Sequence, residues 1–414
     1  MKAMIRLLAL CVLGPMPSYS QVAPAAVGPG QTPTAGSEKM IYAVRYSQSG
    51  QFYTKQQNIQ MSNVSATLDY ANRDKRYPFT AEYGGGYTWT LSGPGYQTGQ
   101  FHRLLLTQGI NFRRSKFMLR DNVSYLPQSP TIGFSGIPGT GEIIGLPNPT
   151  PSTSQTILTV NTHVVDNMAG GEFQHSISYA TTLGLLGDYE VLRFPDGNGL
   201  DFTTVTGEAR LDRRFSGRTT GVARASYTQY SYPGTTITIQ TPTGLLGVEH
   251  RWTRNLRTNV YAGPQQLISS LDPILPSSLG YSIQANTSYQ RRFSSFYASY
   301  THGASGGSGY MIGAINDGAI GNYTHEFGQS GLLGLTTGYN RVAALSQRNG
   351  VTNSEFGGAQ VTWRIANNII VFANYTAANQ STSVTLPGNT LNELMNTFGV
   401  GIGLSSREWR RPRQ

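Results

Sequence analysis

Apolar and polar residues alternate with a period of two along most of this chain. Phe79, Ala81, Tyr83, Gly85, Tyr87, Trp89 and Leu91 are interleaved with Thr80, Glu82, Gly84, Gly86, Thr88 and Thr90. Tyr281, Ile283, Ala285, Thr287 and Tyr289 alternate with polar residues, as do Val361, Trp363 and Ile365 with Gln360, Thr362 and Arg364. The extreme case is 397–404, where Phe398, Val400, Ile402 and Leu404 have a glycine at each position between them. Successive strand residues point to opposite faces, so each run has one apolar face and one bare or polar face. In a soluble sandwich the second face would meet water. In a membrane barrel the apolar face meets lipid and the other faces a lumen. Aromatic residues sit toward the ends of the apolar face, as girdles at two membrane interfaces require.

Short and long connections take turns. Tight links are expected near Ser115-Lys116, Ala180-Thr181, Ser216-Gly217, Arg254-Asn255, Ser294-Ser295, Gln329-Ser330 and Asn367-Asn368. Longer ones fall near 92–99, 127–156, 194–200, 231–236, 269–278, 305–313, 346–353 and 383–391. Outer-membrane barrels pair short periplasmic turns with long outer loops. Counting back from the C-terminal end gives about 17 strands from Ser62 onward, and an even total adds 41–47 as the first. The prediction is an all-β transmembrane antiparallel β-barrel of about 18 strands, with 16 as the alternative.

Composition narrows the class. Only 13% of the 414 residues are charged, yet mean hydropathy is −0.28. Apolar residues spread singly along strands give that combination; a helical membrane protein would need stretches of ~20 apolar residues. The first twenty residues read as a secretory signal: Lys2 and Arg6, an apolar core from Leu7 to Leu13, and the small-x-small site Ser18-Tyr19-Ser20. The expected organisation is a signal at 1–20 cleaved near Ser20, a periplasmic linker at 21–40, a barrel at 41–404 and a basic tail at 405–414. Cys11, the single cysteine, leaves with the signal, so no disulfide framework is expected. Removing Lys2 and Arg6 leaves 29 basic residues against 21 acidic, a net +8 from the full chain's +10. Arginine outnumbers lysine 26 to 5, which hints at anionic partners, because a guanidinium suits carboxylate and phosphate. The basic residues are dispersed along strands, which argues against nucleic acid.

The run Thr397-x-Gly399-x-x-Ile402-x-Leu404 resembles the polar-x-Gly-x-x-apolar-x-apolar signal of bacterial outer-membrane β-barrels. That resemblance implies recognition by the barrel insertion machinery, a bacterial outer-membrane location, and contact with outer-membrane lipids and lipopolysaccharide. Such proteins often end on an aromatic residue, whereas this chain continues through Arg407, Arg410, Arg411 and Arg413. In strand count and arginine content the chain is similar to the alginate exporter, an 18-stranded barrel.

Parity places Arg103, Arg113, Arg210, Arg214, Arg224, Arg257, Arg292 and Arg364 on the inner face, with Glu82, Glu172, Glu190, Glu208 and Asp212 as counter-charges. A lumen with more arginine than carboxylate favours anions. Internal salt bridges that merely neutralise the barrel would use the same residues. The segment 127–154 holds six prolines and five glycines, one charge at Glu142, and apolar Ile132, Phe134, Ile137, Ile143 and Ile144. Such a loop suits a constriction, an outer cap or a plain surface loop. Asp196 to Asp201 has the oxygens and glycines of a short calcium loop but lacks its distal glutamate, so it reads as a plain polar outer turn. Gly303-Ala304-Ser305-Gly306-Gly307 fits G-x-S-x-G but lacks a strand-turn-helix setting, and the six histidines have no metal-ligand spacing. No cofactor and no enzyme activity are expected. The leading reading is a porin-like channel for anionic solutes. The alternatives are an exit pore for an acidic exopolysaccharide and a structural or adhesive barrel with a closed lumen.

Overall fold

The computed structural model describes residues 39–405, except 55–56, 73, 94–97, 129–161, 198, 271–276, 308–311, 329, 346–349, 367 and 384–393. Within them run eighteen strands and no helix. They are β1 (Lys39–Tyr53), β2 (Ile59–Asn72), β3 (Phe79–Ser92), β4 (Gly99–Asn111), β5 (Ser115–Gln128) and β6 (Thr162–Ser176). Next come β7 (Thr181–Arg193), β8 (Phe202–Arg214), β9 (Thr219–Ser231), β10 (Thr238–Arg251), β11 (Leu256–Ser269) and β12 (Ser278–Gln290). The circuit finishes with β13 (Ser294–Ser305), β14 (Ala314–Phe327), β15 (Gly331–Ala344), β16 (Val351–Arg364), β17 (Ile369–Thr382) and β18 (Leu394–Ser405). Each pairs antiparallel with the next, and β18 returns to β1 with Val44 opposite Leu404 and Tyr46 opposite Ile402. The sheet therefore has no free edge, the only way a β-structure satisfies its backbone in hydrocarbon. The eighteen strands agree with the period-two pattern.

Burial is inverted relative to a soluble protein. Phe398, Val400, Ile402 and Leu404 are about half exposed, whereas Gln51, Thr352 and Gln380 are buried. Large apolar side chains thus form the outer surface and polar ones the inner surface, as lipid outside demands.

The short connections are closed by local chemistry. In the β4–β5 turn Phe112 N donates to Ser115 O at 2.8 Å, and in the β12–β13 turn Arg291 N donates to Ser294 O at 2.8 Å. Elsewhere a side-chain oxygen closes the turn. Ser178 Oγ accepts from Thr181 N at 3.1 Å, Ser216 Oγ from Thr219 N at 3.0 Å, and Thr253 Oγ1 from Leu256 N at 3.1 Å. Asp74 Oδ1 takes Arg76 N and Tyr77 N at 2.6 and 2.7 Å. Those two donors hold the Asp74 carboxyl below its ordinary pKa. Ser, Thr and Asp recur here because their short side chains mimic a backbone acceptor.

Candidate functional site

The inner wall has two unlike sectors. From β2 to β10 it is charged. Arg120 on β5 reaches over β6 to Asp188 on β7, with Nη2 2.6 Å from both carboxylate oxygens. Gly170 lies between them in register, opposite both Arg120 and Asp188. A Cβ there would come within 1.8 Å of Asp188 Oδ1, so this glycine is what lets the pair close across a bare strand. Further round, Arg210 Nε meets Asp212 Oδ1 at 2.5 Å and Nη2 meets Glu249 Oε1 at 2.7 Å. Tyr261 OH donates to the same Glu249 oxygen at 2.6 Å, and the Arg224 guanidinium lies 4.1 Å above the Tyr261 ring. Arg103 sits within electrostatic reach of Glu82 and Asp166, and Arg45 of Asp69.

From β12 to β18 the described inner face carries amides, hydroxyls, glycines and apolar groups, with Glu326 and Arg364 only at the short-turn end. Thr336 donates to Asn322 at 2.8 Å, and Gln284 accepts from Arg224 at 3.1 Å across the boundary between sectors. Glycines in this wall lie beneath rings from the neighbouring strand. A Cβ on Gly338 would strike Phe356, and one on Gly401 would strike Phe372. Gly403 abuts Arg45 and Ile370. At Gly401 and Gly403 the bare row of β18 is therefore occupied by side chains of the neighbouring strands, at Gly401 by a ring, as cross-strand packing of rings on glycine predicts.

Near the long-loop ends an apolar layer reaches across the interior. Val164, Leu192, Phe194, Phe202, Tyr230, Tyr232, Ile239 and Leu267 are buried together, with Ala304, Ile312 and Leu345 packed against them. Tyr232 OH donates to Gly306 O and accepts from Gly313 N, joining the β9–β10 connection to the β13–β14 connection.

The predicted arginines fall into three groups. Arg103, Arg210 and Arg224 face the interior within the charged sector. Arg214, Arg257 and Arg364 also lie on inward rows, at the short-turn mouth. Arg113 and Arg292 are corrections: both sit exposed in three-residue connections, because their strands begin at Ser115 and Ser294, where turns were expected. Arg45 and Arg120 are inward arginines that parity reasoning missed. Setting aside the first two and last two residues of each strand, nine described inward carboxylates (Asp69, Glu82, Asp166, Glu172, Asp188, Glu190, Glu208, Asp212, Glu249) face five guanidiniums (Arg45, Arg103, Arg120, Arg210, Arg224). The expected excess of arginine does not hold in that stretch.

Of the presumed insertion signal, Thr397 and Gly399 face inward while Ile402 and Leu404 face out. The loop residues Ile132, Phe134, Ile137, Glu142, Ile143 and Ile144 lie outside the described residues, as do 1–38 and 406–414. In the 196–201 loop both carboxylates are engaged locally. Asp196 Oδ2 accepts from His163 N at 2.8 Å and Asp201 Oδ1 from Phe194 N at 2.9 Å. Ser305 is buried at a strand end, its hydroxyl toward Ala314 O at 3.4 Å.

Charge also divides the two rims. The short turns carry exposed Lys75, Arg76, Arg113, Arg114, Arg218, Arg254, Arg291 and Arg292 against Asp74. The described long-loop residues carry Asp196 and Asp201.

Fold and surface define a transmembrane β-barrel of eighteen antiparallel strands. It is similar in fold to OccK2 (OpdF) of Pseudomonas aeruginosa, with 11% identity over 89% of this chain and 97% of that one, at a TM-score of 0.47. It is similar also to OccAB4 of Acinetobacter baumannii (8% identity, 91% and 100% covered, TM-score 0.47) and to OpdK of Pseudomonas aeruginosa (9%, 90% and 99%, 0.45). OccK2 has been crystallised in complex with glucuronate and OpdK with vanillate. These likenesses concern the fold alone. No protein family and no curated protein matches the chain by sequence.

Proposed function

We propose that this chain is an outer-membrane channel for small anionic solutes. The observation that carries this reading is the short-turn mouth. Its inward rows end on Arg214, Arg251, Arg257 and Arg364, with Glu326 as the described carboxylate at that level. Charges at a mouth set which ions enter. Deeper in, guanidiniums are held by carboxylates, so a solute carboxylate must exchange for one of them while its hydroxyls meet the amides opposite.

Planar-bilayer recording under a KCl gradient tests this. Reversal on the chloride side is expected, moving toward potassium when Arg214, Arg257 and Arg364 are all replaced by Gln. An unchanged reversal potential overturns it. Shortening the 127–154 loop between Gly133 and Gly145 raises single-channel conductance if that loop narrows the path.

The closed, structural barrel is the second reading, favoured by the apolar layer from Phe202 to Leu345. Absence of conductance steps in the intact inserted chain would establish it. An exit pore for an acidic polymer would use the same basic mouth, and loss of exopolysaccharide on deletion is its test. Export through a signal cleaved after Ser20 predicts that the mature protein begins at Gln21, which N-terminal sequencing reads.

A further inference from the structure

The short-turn rim carries positive charge that passage through the barrel does not use. Arg76, Arg113, Arg218, Arg254, Arg291 and Arg292 are exposed there, and none forms an ion pair among the described residues. Outward-facing rings stand beside them. Phe112, Phe215 and Trp252, at 57%, 69% and 57% exposure, continue the lipid-facing rows of β4, β8 and β10. The Arg76 guanidinium lies 5.4 Å from the centre of the Tyr77 ring, and that of Arg292 lies 5.0 Å from Phe293. A ring with a guanidinium above it matches a membrane boundary, where the ring meets acyl chains and the charge meets headgroups.

One step further into the wall, three polar pairs face the same way. Ser115 Oγ lies 2.8 Å from His175 Nδ1, Thr219 Oγ1 2.9 Å from His250 Nδ1, and Ser294 Oγ 2.8 Å from His325 Nδ1. Each histidine has an aromatic partner on the outer surface, Phe173, Trp252 or Tyr323. The layering from the rim inward is therefore guanidinium, ring and imidazole, then aliphatic side chains.

We infer that this rim is a belt of sites for the phosphate headgroups of anionic phospholipids in the leaflet that the short turns face. The inference rests on the membrane-barrel reading. Guanidinium is matched to phosphate in geometry as well as charge. A soluble acidic polymer would need the charge but not the exposed apolar rings directly beneath it. A basic residue at a membrane surface is worth roughly fivefold in binding of anionic lipid.

Trp252 reports on this rim, and Trp89, facing outward toward the long-loop end of β3, serves as the control. Two chains are needed, each retaining one of the two and carrying Phe at the other tryptophans. They are inserted into phosphatidylcholine vesicles in which either phosphatidylglycerol or phosphatidylcholine is brominated. Brominated phosphatidylglycerol is expected to quench Trp252 at several-fold lower mole fraction than brominated phosphatidylcholine, with no preference at Trp89. Arg218→Gln and Arg254→Gln should each lower the preference severalfold in chains whose β-sheet circular dichroism is unchanged. Equal quenching of Trp252 by both lipids, or a preference that survives both substitutions, overturns the inference. Loss of the preference on adding soluble polygalacturonate would assign the rim to an acidic polymer and overturn it too. Failure to insert into either vesicle would instead sink the membrane-barrel reading beneath it.

Discussion

The two sectors of the inner wall solve the same problem by different chemistry. Both must bury polar groups against a barrel interior. Between β2 and β10 this is done with full charges, Arg120 with Asp188 and Arg210 with Asp212 and Glu249. Between β12 and β18 it is done with neutral pairs such as Thr336 with Asn322, and with rings laid over glycine. A buried charge left alone costs far more than a buried amide left alone. The charged sector is thus the one in which removing a single partner does most damage. The neutral sector tolerates change.

That contrast is open to direct attack. The largest effect is expected from Asp188→Asn, which takes the carboxylate away from the buried Arg120 guanidinium and should cost about 3–5 kcal/mol in urea unfolding of the vesicle-inserted protein. Asn322→Ala in the neutral sector should cost about 1 kcal/mol in the same assay. Equal losses would erase the distinction. Next comes Gly170→Ala, whose new methyl meets Asp188 at 1.8 Å. A destabilisation of about 1–3 kcal/mol is expected, as for overpacking. Gly280→Ala on β12, with its nearest neighbour atom at 3.8 Å, should be close to silent. The smallest effect belongs to the β2–β3 turn. Asp74 has a depressed pKa, so its contribution is complete above the ordinary carboxylate range and fades as pH falls through the lowered value. A carboxyl titration by nuclear magnetic resonance should find Asp74 protonating below the other exposed carboxylates; protonation among them would refute the turn geometry.

Much of the fold was legible because a period of two survives any error in register. Phe398, Val400, Ile402 and Leu404 announce the outer face whatever they pair with. Turn positions were less secure. Ser115 and Ser294 look like turn residues by type, yet each opens a strand, and that shift moved Arg113 and Arg292 from wall to corner. Arg120 escaped notice for a different reason. Phe117, Leu119, Val123 and Tyr125 form an outward row on β5, but Asp121 interrupts it and disguises the alternation. Its bond to Asp188 depends on the register of three strands at once, which no single stretch of sequence encodes. The apolar layer around Phe202 and Tyr230 was hidden because aromatic residues on a barrel strand are first read as membrane-facing. The difference in charge between the rims, by contrast, could have been counted from the sequence once the turns were assigned.

One bond has a mechanical consequence. Neighbouring strands in a cylinder of ladders can slide along one another, since each hydrogen bond broken by a slip is replaced by an equivalent one. The Arg120 to Asp188 contact joins second neighbours, β5 and β7, straight across the bare backbone of β6. A two-residue slip on either side would draw the pair roughly 7 Å apart. The contact acts as a diagonal stay on an otherwise shearable tube, fixing the relative height of three staves with one ion pair.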